Sequence, residues 1–305
     1  MQDTSRLAGV IAPVLTPFAE DGSPDGERFV EHCQWLLDEG CTALAPFGTT
    51  SEGPSLGLDE RMELLEELID AGVAPSQLMP GTGTSSLSDT IELTAHAVEV
   101  GCGGVLVLPP YFFKDPSEEG LFRYYSELIE EVGDHRLRLY LYHIPQMSAV
   151  PVTRNLVDRL RSAYPDEIAG LKDSSGNMAG TLDLMDSFPD LAIFPASEAV
   201  LLEGLKHGAA GCISATANVQ PRAIRALYEA AEGPEADALQ FRVAAVRAAI
   251  LKAPTIPGIK ALISHARSDP QWRVVRPPLV ALDEAEEMRL VAALKSDCEF
   301  ALRIE

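Results

Sequence analysis

Short apolar runs alternate with amphipathic stretches along most of the chain. The runs are GVIAPVLTPF (9–18), TALAPFG (42–48), QLMPGTG (77–83), GGVLVLPPY (103–111), LRLYLYHIP (137–145), EIAGLKDSS (167–175), LAIFPAS (191–197) and AGCISATAN (210–218), eight in all. Their length and their small or β-branched residues fit buried strands. Between them lie helical patterns. DERMELLEELIDAG (59–72) gathers Met62, Leu64, Leu65, Leu68 and Ile69 on one side. SDTIELTAHAVEVG (88–101) and SEEGLFRYYSELIEEVG (117–133) do the same, and both end on glycine, a common helix stop. Eight strand–helix units at even spacing predict an α/β fold, a parallel sheet closed into a (β/α)8 TIM barrel. A doubly wound open sheet is the rival, but it seldom needs eight evenly spaced units. Beyond about residue 222 only helical patterns remain, including ADALQFRVAAVRAAILKA and LDEAEEMRLVAALKSDCEFALR. The expected division is therefore a barrel core over 1–222, with the last barrel helix and additional C-terminal helices over 223–305.

At 305 residues and 46% hydrophobic, the chain can bury one large core. The net charge of -22 sets the surface against phosphate backbones, so nucleic acid is not an expected partner. An anionic substrate must then be held by local donors. The five cysteines (Cys33, Cys41, Cys102, Cys212, Cys298) are scattered and form no CxxC pair, the usage expected of reduced thiols in a cytoplasmic protein. The N-terminal segment, interrupted by Pro13 and Pro17, does not read as a signal peptide, and no run of about 20 apolar residues suggests a membrane span.

A barrel of this type carries its chemistry at the C-terminal ends of the strands, which selects a short set of candidates. Lys172 ends the apolar part of the sixth run, before a Ser/Gly turn. A lysine half in the core is disfavoured as an ammonium, and a neutral amine can attack a ketone to form a Schiff base. Read locally, it could equally be a strand-ending lysine that snorkels to water. Tyr142 ends the fifth run and could shuttle protons beside an imine; alone, it would read as a half-buried strand tyrosine. His143, one residue on, points the other way and reads as structural. Gly48-Thr49-Thr50-Ser51-Glu52-Gly53 offers backbone N–H groups and hydroxyls, a fitting cradle for a carboxylate, or simply a turn. Further strand ends bring Tyr111, Ser174, Ser197, Glu198 and Ile213 to the same face. The six histidines have no metal-ligand spacing. The glycine-rich segments at 81–84 and 101–104 complete neither GxGxxG nor a P-loop, and no GxSxG elbow is present.

Taken in order, Gly48-Thr49-Thr50-x-Glu52, Pro110-Tyr111, Leu141-Tyr142-x-Ile144-Pro145, Gly170-Leu171-Lys172-Asp173 and Gly211-x-Ile213-Ser214-x-Thr216-Ala217-Asn218 resemble the dihydrodipicolinate synthase / N-acetylneuraminate lyase family of pyruvate-dependent class I aldolases. The resemblance runs from Thr16 to Leu279. It implies a TIM barrel with C-terminal helices, assembled as a homotetramer (a dimer of dimers), with no metal or organic cofactor. It further implies that Lys172 forms the imine with pyruvate or another 2-oxo acid and that Tyr142 is the proton shuttle. Thr49 and Thr50 would hold the pyruvate carboxylate, with Thr50 also joining the proton relay, and the backbone of Ile213 would line the site. Ser174, Ser197 and Glu198 are expected at the mouth, near distal hydroxyls; Tyr111 and His143 are expected one layer further out.

Three departures bear on the reaction. The loop motif commonly reads GTTGES, so Ser51 and Gly53 exchange places here, and left-handed backbone is expected at Ser51. The synthases usually carry two consecutive tyrosines, the second completing a relay across a dimer interface; here Phe112 follows Tyr111. They also place an arginine five residues after the strand tyrosine, to bind the semialdehyde carboxylate; here that position is Met147, whose thioether cannot form the bidentate contact. Losing such a contact costs about 1.5–3 kcal/mol. The expected activity is therefore an aldolase or lyase acting on a 2-oxo (3-deoxy) acid. A 4-hydroxy-tetrahydrodipicolinate synthase, a 2-keto-3-deoxy sugar acid dehydratase and a non-catalytic 2-oxo-acid-binding member are the alternatives.

Overall fold

The computed structural model describes residues 6–298. Seven strands form parallel ladders: β1 (Gly9–Ala12), β2 (Ala43–Leu44), β3 (Val105–Val107), β4 (Leu139–His143), β5 (Ile168–Asp173), β6 (Ala192–Pro195) and β7 (Gly211–Ile213). They pair in the orders β2-β1-β7 and β3-β4-β5-β6. The third apolar run, expected as a strand, joins the two sets through isolated parallel bridges, Leu78 to Leu44 and Gly81 to Leu106. Pro80 interrupts it because proline has no N–H to donate, although its carbonyl still accepts from Leu106 N at 2.9 Å. On the other side, Ala210 N donates to Ile193 O at 3.0 Å, linking β6 to β7. Eight staves thus close into the (β/α)8 barrel, seven of them regular strands among the described residues.

Helices follow the staves where the apolar periodicity placed them, for instance Leu58–Asp70, Leu87–Glu99 and Glu118–Val132. The latter two are capped by side chains: Ser86 accepts from Asp89 N, and Ser117 from Gly120 N. Two apolar layers result. The outer one, between strands and helices, includes Leu139, Leu141, Ile168 and Leu171. The inner one fills the barrel with Ile11, Met79, Leu106, Tyr140, Tyr142, Ala169 and Phe194.

β5 departs from strict alternation. Ile168 and Leu171 both face outward although they are an odd three positions apart, and the register against β4 shifts after the Leu139–Ile168 pair. Ala169 belongs to the inner layer, and a Cβ on Gly170 would also point inward, 2.8 Å from the Tyr140 ring. Two successive inward residues are a β-bulge. Counting in twos from Ile168 would turn Lys172 outward; the extra residue turns it inward and pairs it with Tyr142.

Beyond Pro221–Glu229, the helices Ala236–Ile250, Thr255–Arg267 and Glu284–Cys298 form a third apolar cluster around Trp272, Ile250, Ile263 and Leu290. This cluster includes Leu15 and Val219 from the barrel, so the C-terminal helices are docked on the strand-end face. No helix among the described residues is long and apolar enough to cross a membrane. Cys33, Cys41, Cys102 and Cys212 are free thiols, and the side chain of Cys298 lies outside the described residues.

A Cβ at position 170 would lie 2.1 Å from the Ala192 carbonyl oxygen as well as against Tyr140. Gly170→Ala is therefore expected to cost about 1–3 kcal/mol by overpacking, read as a lower urea unfolding midpoint.

Candidate active site

The strand ends open into a cavity of about 620 Å³. Lys172 and Tyr142 meet on its wall, directly opposite in the β4–β5 register. Both are nearly sealed, at 4% and 3% exposure, and Lys172 Nζ stands 4.2 Å from the centre of the Tyr142 ring. The Thr49 and Tyr142 hydroxyls are 3.3 Å apart. Burial pushes the Tyr142 phenol up, but the charge of Lys172 and hydrogen bonds from Thr49, Ser174 and Lys172 outweigh it, leaving its pKa below the ordinary tyrosine value. A buried amine beside an acidified phenol is the pairing that imine chemistry with proton transfer requires.

Thr50, Ser174, Ser197 and Ile213 line the same cavity. The threonine hydroxyl bonded to the phenol, however, is that of Thr49 and not Thr50. Glu198 does not reach the mouth. It is fully buried, and its carboxylate accepts from Ser214, Thr216, Gln220 and Arg247, partners that hold a charge which could not otherwise be desolvated. His143 faces away from the cavity, its Nδ1 accepting from Val152 N at 3.0 Å, and burial lowers its pKa so that the ring stays neutral. Tyr111 is half-buried and outside the cavity lining; its carbonyl accepts from Lys114.

The loop after β2 is built differently from the expectation. Within Gly48–Gly53 the left-handed residue is Glu52 (φ 57°), not Ser51, whose hydroxyl is fully buried and donates to Val14 O. Gly53 is needed for close approach, since a Cβ there would lie 2.0 Å from Phe47 O. Glu52 in turn takes Lys260 on one oxygen and the Arg276 N–H on the other, at 2.9 Å. Lys260 is fully buried, and burial lowers its pKa to about 8 against the pull of Glu52. Two C-terminal residues thereby hold the threonine loop in place. Sequence reasoning passed over Lys260 and Arg247, yet both carry a signal: each is a cation set among apolar residues of a helical stretch, Lys260 between Ile259 and Ala261, and Arg247 between Val246 and Ala248.

The profile of the dihydrodipicolinate synthetase family matches residues 6–297. The chain belongs to that family. A DapA-like lyase of Chloroflexus aurantiacus is 37% identical over 287 residues, covering 93% of this chain and 95% of the relative. The crystal structure of dihydrodipicolinate synthase from Agrobacterium tumefaciens superposes with a TM-score of 0.89 at 34% identity, covering 95% of this chain and 99% of that one. A prophage protein of the same family from E. coli K12, solved in complex with pyruvate, gives a TM-score of 0.86 at 26% identity, covering 95% and 98%. Membership of the dihydrodipicolinate synthetase family makes this protein a lyase of the aldolase type.

Two outcomes follow from the electrostatics. In spectrophotometric titration, the difference between wild type and Tyr142→Phe is expected to show a tyrosinate step below pH 10, apart from Tyr124 and Tyr140, which burial pushes up to about 12. Lys172→Met should move that step upward, because burial then acts with less opposition. Separately, Glu52→Gln leaves Lys260 unpaired in the interior and is expected to cost about 3–5 kcal/mol in urea unfolding, much of it regained in Glu52→Gln/Lys260→Met.

Proposed function

We propose that the protein is a pyruvate-dependent class I aldolase that forms or cleaves a C–C bond in a 2-oxo (3-deoxy) acid through an imine at Lys172. The observation that carries this reading is the Lys172 amine 4.2 Å over the Tyr142 ring, both buried at the strand-end cavity. The family match and the pyruvate complex of one family member support the substrate class.

In the cleavage direction, the Lys172 amine adds to C2 of the 2-oxo acid, and loss of water gives the protonated imine. The Tyr142 phenolate takes the proton of the C4 hydroxyl, the C3–C4 bond breaks, and its electron pair moves toward the iminium nitrogen. An aldehyde leaves and the pyruvate enamine remains. Protonation at C3 and addition of water then free pyruvate and the amine. The lysine is itself the electron sink, so the sequence of steps calls on no metal or organic cofactor. Thr49 and Thr50 hold the pyruvate carboxylate through their hydroxyls and loop N–H groups, and Ile213 closes the opposite wall. Ser174 and Ser197 are available to the distal part of the substrate. The assembly that goes with this reading is a cytoplasmic homotetramer, which rests on the family resemblance; the exposed rings of Phe112 and Phe113 are apolar surface that a subunit contact would cover.

Borohydride reduction in the presence of pyruvate, followed by intact mass and peptide mapping, tests the reading. One reduced pyruvate adduct on Lys172 is expected, and none in Lys172→Ala. An adduct on another lysine, or pyruvate release by Lys172→Ala, would refute it. Tyr142→Phe should lower kcat by about 10²–10⁴-fold, measured as pyruvate release from a cleavable 2-oxo acid.

A further inference from the structure

The cavity lies in a chain of net charge -22, yet its own charged lining is Lys172, Asp173 and Arg247. Asp173 is already occupied, accepting from Ser175 N and Thr181 Oγ1, both at 2.8 Å. Lys172 is consumed by the imine. Arg247 is then the cation that an anionic group on the distal part of a substrate would meet among the described residues.

Arg247 projects from the helix Ala236–Ile250 onto the ends of β6 and β7. Its Nη1 donates to Glu198 at 3.1 Å and to Ser214 Oγ at 2.9 Å. Glu198 is immobilised by Ser214, Thr216 and Gln220, so the guanidinium is clamped from one side. Among the described residues, the hydrogen bonds of Arg247 all run through Nη1, while Nε and Nη2 are unpaired without being fully sealed, on a residue that lines the cavity. That free edge presents two parallel N–H donors, the geometry that fits the two oxygens of a carboxylate.

We propose that Arg247 is the specificity-determining residue of a distal carboxylate subsite, and that the preferred substrates are 2-oxo acids with a second, terminal carboxylate. The proposal rests on the Lys172 imine reading. It places the anion receptor on a C-terminal helix, where the loop position Met147 offers none. No electron or group transfer is added to the reaction; Arg247 orients the far end of the chain while the imine holds the near end.

The test is borohydride trapping of wild type with 2-oxoglutarate, 2-oxoadipate and 2-oxopimelate, each against the mono-acid of equal length (2-oxopentanoate, 2-oxohexanoate, 2-oxoheptanoate). The half-saturating concentration for adduct formation is the readout. At one chain length or more, the diacid should saturate at a concentration roughly 10- to 100-fold lower, as a charge-assisted bidentate contact implies. In Arg247→Met this preference should disappear, and in Arg247→Lys it should be partly kept. Because Arg247→Met also uncovers Glu198, the double variant Glu198→Gln/Arg247→Met removes both charges; the same loss there attributes the effect to Arg247 and not to repulsion by Glu198. Equal saturation by diacid and mono-acid at every length, trapping of pyruvate alone, or a diacid preference that survives both variants would overturn the subsite. Failure of pyruvate itself to trap on Lys172 would instead overturn the imine reading, and the subsite with it.

Discussion

The bulge at Ala169–Gly170 turns Lys172 into the barrel. A strand read in steps of two would send this side chain into the helical layer, among Leu171 and its neighbours. The inserted residue reverses the phase after Ala169, so the amine faces the cavity and lies against Tyr142. Gly170 makes this possible, since the Tyr140 ring and the Ala192 carbonyl occupy the space a side chain would need. Sheet register, and through it a single backbone irregularity, is thus the physical origin of the amine–phenol pair. Asp173, one residue on, accepts from Thr181 and from Ser175 N and so serves the turn that follows the strand.

Two buried carboxylates join the C-terminal helices to the barrel. Glu52 holds Lys260 and the Arg276 backbone on the threonine-loop side; Glu198 holds Arg247 on the β6–β7 side. A buried ion pair adds little net stability over an apolar substitute, but removing one partner is expensive, so such pairs fix position more than they add energy. Here they sit on two sides of the same cavity. The apolar cluster around Trp272 provides the driving force for docking, and the ion pairs define where the docked helices touch the loops. The C-terminal helices are therefore part of the cavity wall and not an appendage to it.

The departures from the family pattern have separate physical consequences. Exchanging Ser51 and Gly53 is accommodated without strain at Ser51, because the left-handed residue is Glu52 and the tight approach falls at Gly53. Phe112 and Met147 are exposed, at 73% and 65%. Neither carries a group that can transfer a proton or bind a carboxylate. Arg247, Thr49 and Thr50 remain on the cavity lining.

Much of this protein is legible in the sequence. Eight apolar runs separated by amphipathic segments require a parallel sheet covered by helices, because each run must be buried on both faces and each segment on one, and their number and even spacing favour closure over an open sheet. Lys172, Tyr142 and the threonine loop stand at strand ends, so a rule about where barrels keep their chemistry is enough to select them. Local patterns stop there. They read Pro80 as part of a regular strand, Ser51 as the strained residue and Glu198 as a mouth residue, because ladder pairing, backbone dihedrals and burial depend on atoms far away in the chain. Arg247 and Lys260 meet Glu198 and Glu52 across 49 and 208 positions. No periodicity encodes a contact of that separation. Only the closed barrel, with its C-terminal helices docked over the strand ends, decides which charges are buried together and which donors are left facing the cavity.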